Sequence, residues 1–261
     1  LIHWKDFGAE LDSPSMPRDC PVFILAGGKG TRMKPFTNIL PKPLIPIGET
    51  PILEIIMHRF QKNGFNKFII SLNYRAEFVK LYFAESVEEY DLEFVQEEKF
   101  LGTGGSLHLI KNRFADTVIV SNCDVLLDID FGDFLDYHKE QGNAATIVGV
   151  LRHVKIPYGV MEMRDGALVS FREKPEFDFI INAGIYAVEP EILSQIQENV
   201  YSDMPDILEK AKQRGSKIGI YPVSSDMVDI GHWDEYNKAV DFLKREKVIS
   251  EDADTHRLNL R

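Results

Sequence analysis

Five side chains have the types to do chemistry on a polyanion: Arg32, Lys42, Asp124, Lys174 and Asp229. Arg32 follows a glycine turn, Asp124 and Asp229 end apolar runs, and Lys42 and Lys174 each precede a proline. Arg32 closes the stretch Leu25-Ala-Gly-Gly-Lys-Gly-Thr-Arg, and Lys42 lies in the Pro41-Lys-Pro43 that follows. The run Val22 to Ala26 suits a short buried strand. Glycines at 27, 28 and 30 then let the backbone turn tightly and bring its N–H groups up to an anion. With Arg32 and Lys42 adding full charges, this is a cradle for a triphosphate, although a glycine-rich turn after a strand, taken alone, equally fits an ordinary tight turn. It is not a Walker loop, because no Gly-Lys-Ser/Thr closes it, and it lacks the Rossmann glycine spacing.

Asp124 ends the apolar run Thr117-Val-Ile-Val120, and open α/β sheets collect ligands at the carboxyl ends of their strands. A carboxylate there can hold a hard cation or merely cap a turn. Asp229 likewise leaves Met227-Val228 for a glycine turn, and with Asp124 it offers such a cation two oxygens. His232 has no second His or Cys beside it, which favours a structural or rim role. Leu101-Gly-Thr-Gly-Gly-Ser106 opens a helix expected over 104–113, whose N-terminal N–H groups favour a polar or anionic neighbour. Gly102, Thr103 and Gly104 let a base or ribose approach the backbone. Glu97 and Glu98 precede that turn, and a carboxylate can accept from guanine N1–H and its amino group together. Lys174 and Glu173 alone would pass for a solvated pair at a strand end, Asn182 for a turn residue and Gly159 for a bulge.

In sequence order, GGxGTRxxPxT with a downstream Pro-Lys-Pro, Ser121-Asn-Cys-Asp-Val125, Phe171-Arg-Glu-Lys-Pro175, Ile181-Asn-Ala-Gly-Ile-Tyr186 and Val228-Asp-Ile-Gly-His-Trp233 resemble the motifs of the sugar-1-phosphate nucleotidyltransferases. The resemblance covers roughly residues 20 to 245, and its pattern lies nearest to mannose, heptose and amino-sugar 1-phosphate guanylyltransferases. It implies Mg²⁺ on Asp124 and Asp229. It places Leu25, Ala26, Gly27, Gly28, Gly30, Thr31, Glu97, Glu98, Gly102, Thr103, Gly104 and Asn122 on the nucleotide, and Gly159, Glu173, Lys174 and Asn182 on the sugar phosphate. The implied reaction is in-line attack by a sugar 1-phosphate on the α-phosphorus of an NTP, with GTP favoured and UTP or dTTP as alternatives. Arg32 would face the leaving pyrophosphate, Lys42 the α-phosphate and Lys174 the attacking phosphate. The nucleophile is already anionic, so the absence of a Ser-His-Asp or Cys-His pattern is expected. Where the family has Gly-Asp, this chain has Cys123-Asp124, with Cys123 read as packing. A metal-dependent glycosyltransferase has no reason to carry GGxGTR. A silent, ligand-sensing subunit would be expected to lose one of Arg32, Asp124, Lys174 or Asp229, and all are present.

The elements that must position these residues alternate. Strands are expected at 22–26, 67–72, 92–96, 117–122 and 144–151, and helices at 51–63, 76–85, 104–113 and 131–140. This is the order of an open, mostly parallel, Rossmann-like sheet with helices on both faces. Thr50-Pro51 offers a cap and a first helical residue, and Asn63-Gly64 a stop. Around Arg164-Asp-Gly166 the alternation of 158–171 predicts a hairpin in a small antiparallel subsheet. Amphipathic helices are expected at 204–214 and 233–247.

With 261 residues and 44% hydrophobic content, the chain can build one large core. Residues 20–248 form the expected catalytic domain, 1–19 a leader or linker and 249–261 a tail. The chain starts with Leu1, and related catalytic domains sometimes follow regulatory CBS modules, so a regulatory domain upstream of Leu1 is an expectation, as is a homo-oligomer. A net charge of −11 argues against nucleic acid or an anionic membrane as partner. No apolar run approaches a membrane span. Two cysteines, Cys20 and Cys123, give no disulfide framework, which fits a cytoplasmic protein.

Overall fold

The computed structural model describes residues 16–84 and 90–245. In these, the strands are β1 (Val22–Leu25), β2 (Pro46–Ile47), β3 (Thr50–Pro51), β4 (Lys67–Leu72), β5 (Asp91–Gln96), β6 (Val118–Asn122), β7 (Val125–Leu127), β8 (Ala145–Lys155), β9 (Val160–Arg164), β10 (Ala167–Arg172), β11 (Glu176–Val188), β12 (Ile218–Val223) and β13 (Met227–Asp229). The α-helices are α1 (Ile52–Lys62), α2 (Ala76–Phe83), α3 (Gly102–Gly105), α4 (Phe131–Gln141), α5 (Pro190–Ser194), α6 (Met204–Gln213) and α7 (Trp233–Arg245).

Seven strands make the central sheet in the order β12-β8-β11-β6-β1-β4-β5. All its neighbours are parallel except β11, which runs antiparallel to both β6 and β8. Its central strands alternate apolar residues between two cores. Val22 and Ile24 face one layer and Phe23 the other; Phe68 and Ile70 oppose Ile69; Ile119 opposes Val118 and Val120. One core is closed by α1, α4 and α7, the other by α5, α6 and the 3₁₀ helix Ser106–Ile110. Burial on both faces, roughly 1.5–3 kcal/mol for each large side chain, fixes the strands whose carboxyl ends carry the motifs.

The mostly parallel α/β sheet agrees with the expectation, and so does the separate β9–β10 hairpin, which turns at Asp165-Gly166. Several elements differ. The predicted helix at 104–113 is one α-turn, α3, followed by the 3₁₀ helix, because three glycines in four residues do not sustain an α-helix. Helix α1 begins at Ile52, since Thr50–Pro51 pairs with Pro46–Ile47. The long β11 and the edge strand β12 extend the main sheet beyond the sequence expectation. Of the leader, Met16 to Asp19 are described. The Arg18 amide donates to Gly64 O at 2.9 Å and the Arg18 guanidinium pairs with Asp136 at 2.8 Å. Residues 1–15, the tail 249–261 and the last residues of the helices expected to reach 85 and 247 lie outside the described residues. Among the described residues no helix is long and apolar enough to cross a membrane, and both cysteines are free and buried.

Candidate functional site

A cleft of about 330 Å³ opens at the carboxyl ends of β1, β5 and β6. On one wall lies the glycine loop after β1. Ala26 N–H donates to Ser71 O at 2.9 Å, and the Thr37 hydroxyl donates to Gly30 O at 2.9 Å. Gly30 is left-handed, with φ 59°, and a Cβ there would fall 2.9 Å from both Lys42 Cβ and Thr37 Cγ2. Only glycine lets the loop lie this close to Lys42. The chain beyond is clamped from outside: the Arg75 guanidinium donates to Ile39 O and Asn38 O, and Trp233 Nε1 donates to Lys34 O at 3.2 Å.

The opposite wall is acidic. β7 follows Asp124 directly, and it pairs antiparallel with β13, setting Val125 against Asp229. Ile230 N–H donates to Asp124 O at 2.8 Å, so two carboxylates far apart in sequence are fixed side by side. The Lys42 ammonium, on a side chain only 9% exposed, pairs with Asp124 Oδ2. Arg32 reaches the Asp229 side, its Nη2 within 3.3 Å of where a Cβ of Gly231 would lie. Asp229 meets solvent through the cleft mouth, yet its recess desolvates it. This crowding first, and the charge of Asp124 second, raise its carboxyl above the ordinary range.

Asp124 and Asp229 are neighbouring carboxylates, with Lys42 paired to the first and Arg32 on the side of the second. The donor set is hard oxygen only, which fits Mg²⁺ held by Asp124 and Asp229 with other positions left to phosphate oxygens and water. Among the described residues no cluster of three His, Cys, Asp or Glu is arranged to hold an ion.

At the far end of the cleft Glu97 is buried under the glycine loop. Its Oε1 accepts from the Ser71 hydroxyl at 2.8 Å and its Oε2 from Leu101 N–H at 3.1 Å. Burial, outweighing these bonds, raises its carboxyl. The Gly102–Thr103 turn is held by Asp203, whose Oδ1 accepts from Thr103 N–H at 3.0 Å and from its hydroxyl at 3.1 Å. These bonds, with the amide contribution largest, lower the Asp203 carboxyl.

Of the expected nucleotide and catalytic residues, Leu25, Gly27, Gly28, Gly30, Thr31, Arg32, Lys42, Glu97, Gly102, Thr103, Asn122, Asp124 and Asp229 line this one cleft. Three expected nucleotide residues do not. Ala26 packs into the core, Glu98 is exposed in the bend that follows the buried Glu97, and Gly104 faces α6, where a Cβ would fall 2.4 Å from Ile207 Cδ1. The anchoring helix N-terminus is likewise absent, since α3 is a single turn.

The expected sugar-phosphate residues are not in the lining: Gly159, Glu173 and Lys174 flank the β9–β10 hairpin, and Asn182 lies midway along β11, opposite Gly149 of β8. A Cβ on Gly159 would fall 3.1 Å from Glu173 Oε2, so those two are neighbours. Lys174 is exposed and left-handed, with φ 44°, an uncommon conformation for a residue with a side chain. Asn182 donates to the Tyr186 hydroxyl at 2.8 Å and accepts from Gly184 N–H at 2.8 Å. Gly184 in turn lies against Asn122 of the cleft, where a Cβ would fall 2.3 Å from Asn122 Nδ2.

Phe100, Cys123 and Gly231 also line the cleft; Cys123 was read only as packing, and Phe100, Gly231 and Asp203 had no role in the sequence reading. Asp203 stands at the N-cap position of α6, but its carboxylate turns to Thr103 and makes no cap bond. The buried Cys123 thiol, pushed up to about 12 by burial, is packing and not a nucleophile.

The family model described as Nucleotidyl transferase matches residues 22–246. A UTP--glucose-1-phosphate uridylyltransferase of Synechocystis sp. is 33% identical over 240 residues, 83% of this chain and 61% of that protein. A mannose-1-phosphate guanyltransferase of Debaryomyces hansenii is 36% identical over 185 residues, 67% of this chain and 51% of that protein. The chain thus spans between half and two thirds of these relatives. The crystal structure of HddC from Yersinia pseudotuberculosis complexed with GMP-PN superposes with a TM-score of 0.68 at 25% identity, over 86% of this chain and 99% of that one. An apo UDP-glucose pyrophosphorylase shares the fold, with a TM-score of 0.67 at 16% identity. Matched by this family model over most of its length, and with its glycine loop and paired aspartates around one cleft, the chain belongs to the nucleotidyl transferase family.

Proposed function

We propose that this chain transfers the nucleotidyl group of GTP to a sugar 1-phosphate, giving a GDP-sugar and pyrophosphate. The observation that carries the proposal is the cleft in which Arg32 and Lys42 face the Asp124–Asp229 pair across a glycine loop. Bringing two polyanions together demands charge neutralisation and alignment more than proton transfer. Arg32 holds the departing pyrophosphate. Lys42, anchored on Asp124, presents its charge at the α-phosphate. When bound at Asp124 and Asp229, Mg²⁺ supplies Lewis-acid neutralisation of phosphate oxygens. Lys174 receives the phosphate of the sugar 1-phosphate, with Gly159, Glu173 and Asn182 toward the sugar hydroxyls.

The choice of GTP rests on Glu97. Leu101 N–H is an obligate donor and the Ser71 hydroxyl is aimed at the same carboxylate, so its remaining lone pairs can only accept. Guanine offers N1–H and its amino group to such a surface. The guanyltransferase relative and the GMP-PN complex of HddC support this reading. A second reading, UTP, is favoured by the uridylyltransferase of Synechocystis sp.. A matrix of the NTPs against mannose, glucose, heptose and amino-sugar 1-phosphates, scored by pyrophosphate release with and without chelator, decides between them. Best turnover with GTP is expected. Best turnover with UTP would replace the base assignment, and no release with any pair would sink the transferase assignment.

A further inference from the structure

Phe100 is 46% exposed, and it lines the cleft between the buried acceptor Glu97 and the Gly102–Thr103 turn. Its companions in that lining are mainly glycines, cations and carboxylates. A phenyl ring left half in water there gains little from the protein itself, and what such a ring offers a ligand is a flat π surface.

The ring is also held. The Tyr201 ring meets it edge-on, with centroids 6.1 Å apart and planes at 63°. The Tyr201 hydroxyl donates to Asp203 Oδ2 at 3.0 Å, while Asp203 Oδ1 takes both donors of Thr103. Ser202 O accepts from Gly104 and Gly105 N–H, both at 2.9 Å, and Ser202 N–H donates to Leu101 O at 2.9 Å. One short segment before α6 therefore fixes the aromatic ring and the glycine turn as a unit.

We propose that Phe100 is the platform on which the nucleobase stacks, with Tyr201 and Asp203 as positioning residues that keep platform and turn in register. The proposal rests on the nucleotide-binding reading above and adds a division of labour to it. Stacking is tolerant of base identity, because every base has a π face, so Phe100 supplies affinity for any NTP and Glu97 supplies the choice among them.

The test compares nucleotides with inorganic tripolyphosphate, which has the charge and no base. In Phe100→Ala, the dissociation constants for GTP and UTP should both rise about tenfold, within the range of a base–aromatic stack. Tripolyphosphate binding should stay as in the parent. Phe100→Leu, which keeps apolar bulk without a π system, should behave like the alanine variant, and Phe100→Trp should restore affinity. The tryptophan variant also gives a signal over the parent's Trp4 and Trp233: its fluorescence should be quenched by GTP more than the parent's is, and tripolyphosphate should affect the two proteins alike. Asp203→Ala should weaken both nucleotides with the same indifference to tripolyphosphate. An unchanged GTP-to-tripolyphosphate ratio in Phe100→Ala, or a tryptophan variant quenched by GTP no more than the parent, would overturn the platform. Failure of the parent to release pyrophosphate would instead remove the transferase reading, while the binding and fluorescence results would still decide the role of Phe100.

Discussion

Replacing Glu97 by glutamine should change which nucleotide is used while leaving the fold in place. The side chain is only 4% exposed, so the amide must adopt the same position. Its oxygen can take Leu101 N–H, now given to Oε2 at 3.1 Å, and its NH₂ can donate to Ser71 Oγ once that hydroxyl rotates. Two charge-assisted bonds become neutral ones, but a buried charge is removed with them. The net stability change should be within about 1 kcal/mol, or roughly 2–4 °C in melting temperature. Base recognition should respond more strongly. The amide places a donor where guanine N1–H and the 2-amino group need acceptors, a loss of about 2–3 kcal/mol, or roughly 30- to 150-fold in kcat/KM for GTP. Uracil O4 would gain a donor, so the GTP-to-UTP ratio should fall by at least about thirtyfold.

The pH dependence of this residue has a definite sign. Burial raises the Glu97 carboxyl in the folded state, so folding favours its protonated form. Its contribution to stability is most favourable at low pH and is lost as pH rises from the ordinary carboxylate value through the raised one. Recognition of guanine runs the opposite way, because it needs the ionised acceptor. Activity with GTP should therefore decline as pH falls through the raised value, and the glutamine variant should lack that limb. Pyrophosphate-release kinetics over pH with GTP and UTP, alongside thermal melts, measure both effects. A GTP-to-UTP ratio unchanged within about twofold in a variant that melts normally would refute the reasoning.

Asp229→Asn should lower turnover by at least about a hundredfold and abolish the thermal shift caused by Mg²⁺; it should also stabilise the metal-free protein, because a crowded charge beside Asp124 is removed. That stabilisation should grow as pH rises from the ordinary Asp value through the raised one, and full activity in excess chelator would contradict the metal assignment. Lys174→Ala should raise KM chiefly for the sugar 1-phosphate and Arg32→Ala chiefly impair use of the triphosphate; initial-rate kinetics showing the same single KM affected in both would refute the separate roles. Gly184→Ala should destabilise by about 2 kcal/mol or more, since φ 71° is unfavourable for alanine and its Cβ would fall 2.3 Å from Asn122 Nδ2. Displacing Asn122 should reduce nucleotide affinity as well, and a melt and binding curve matching the parent would show that the contact relaxes without consequence.

The parallel strands at 22–25, 67–72 and 118–122 were legible because strands buried on both faces read as short continuous apolar runs between turn signals. The hairpin at 160–172 was legible from Asp165-Gly166. Less visible was β11, whose first half, Glu176 to Asn182, is mostly exposed while its second half, Ala183 to Val188, is buried. Its register against β8 shifts between Asn182 and Tyr186, so no single period runs through it. The helix expected at 104–113 is instead a glycine-rich turn: three of the four residues Gly102–Gly105 are glycines, and the turn is stabilised by Ser202 and Asp203, which lie some hundred residues downstream. Sequence spacing carries no information about such a brace.

The same limit explains which parts of the site were missed. Motif residues could be assigned singly because each belongs to a short contiguous motif: Arg32 and Lys42 to the loop after β1, and Asp124 and Asp229 to strand ends, where a cap or a cation ligand both fit. Their mutual arrangement depends on the three-residue strands β7 and β13, which are too short to show a period and gain their meaning only by pairing with each other. That pairing converts two separate aspartates into one electrostatic unit. Asp124 is held between Lys42 and its neighbour Asp229, Arg32 faces the latter, and any change at one member alters the charge felt by the other three. Phe100 escaped for the complementary reason: an aromatic residue at the end of a polar loop has no periodic partner, and only the cleft around it shows that its ring belongs among charged groups.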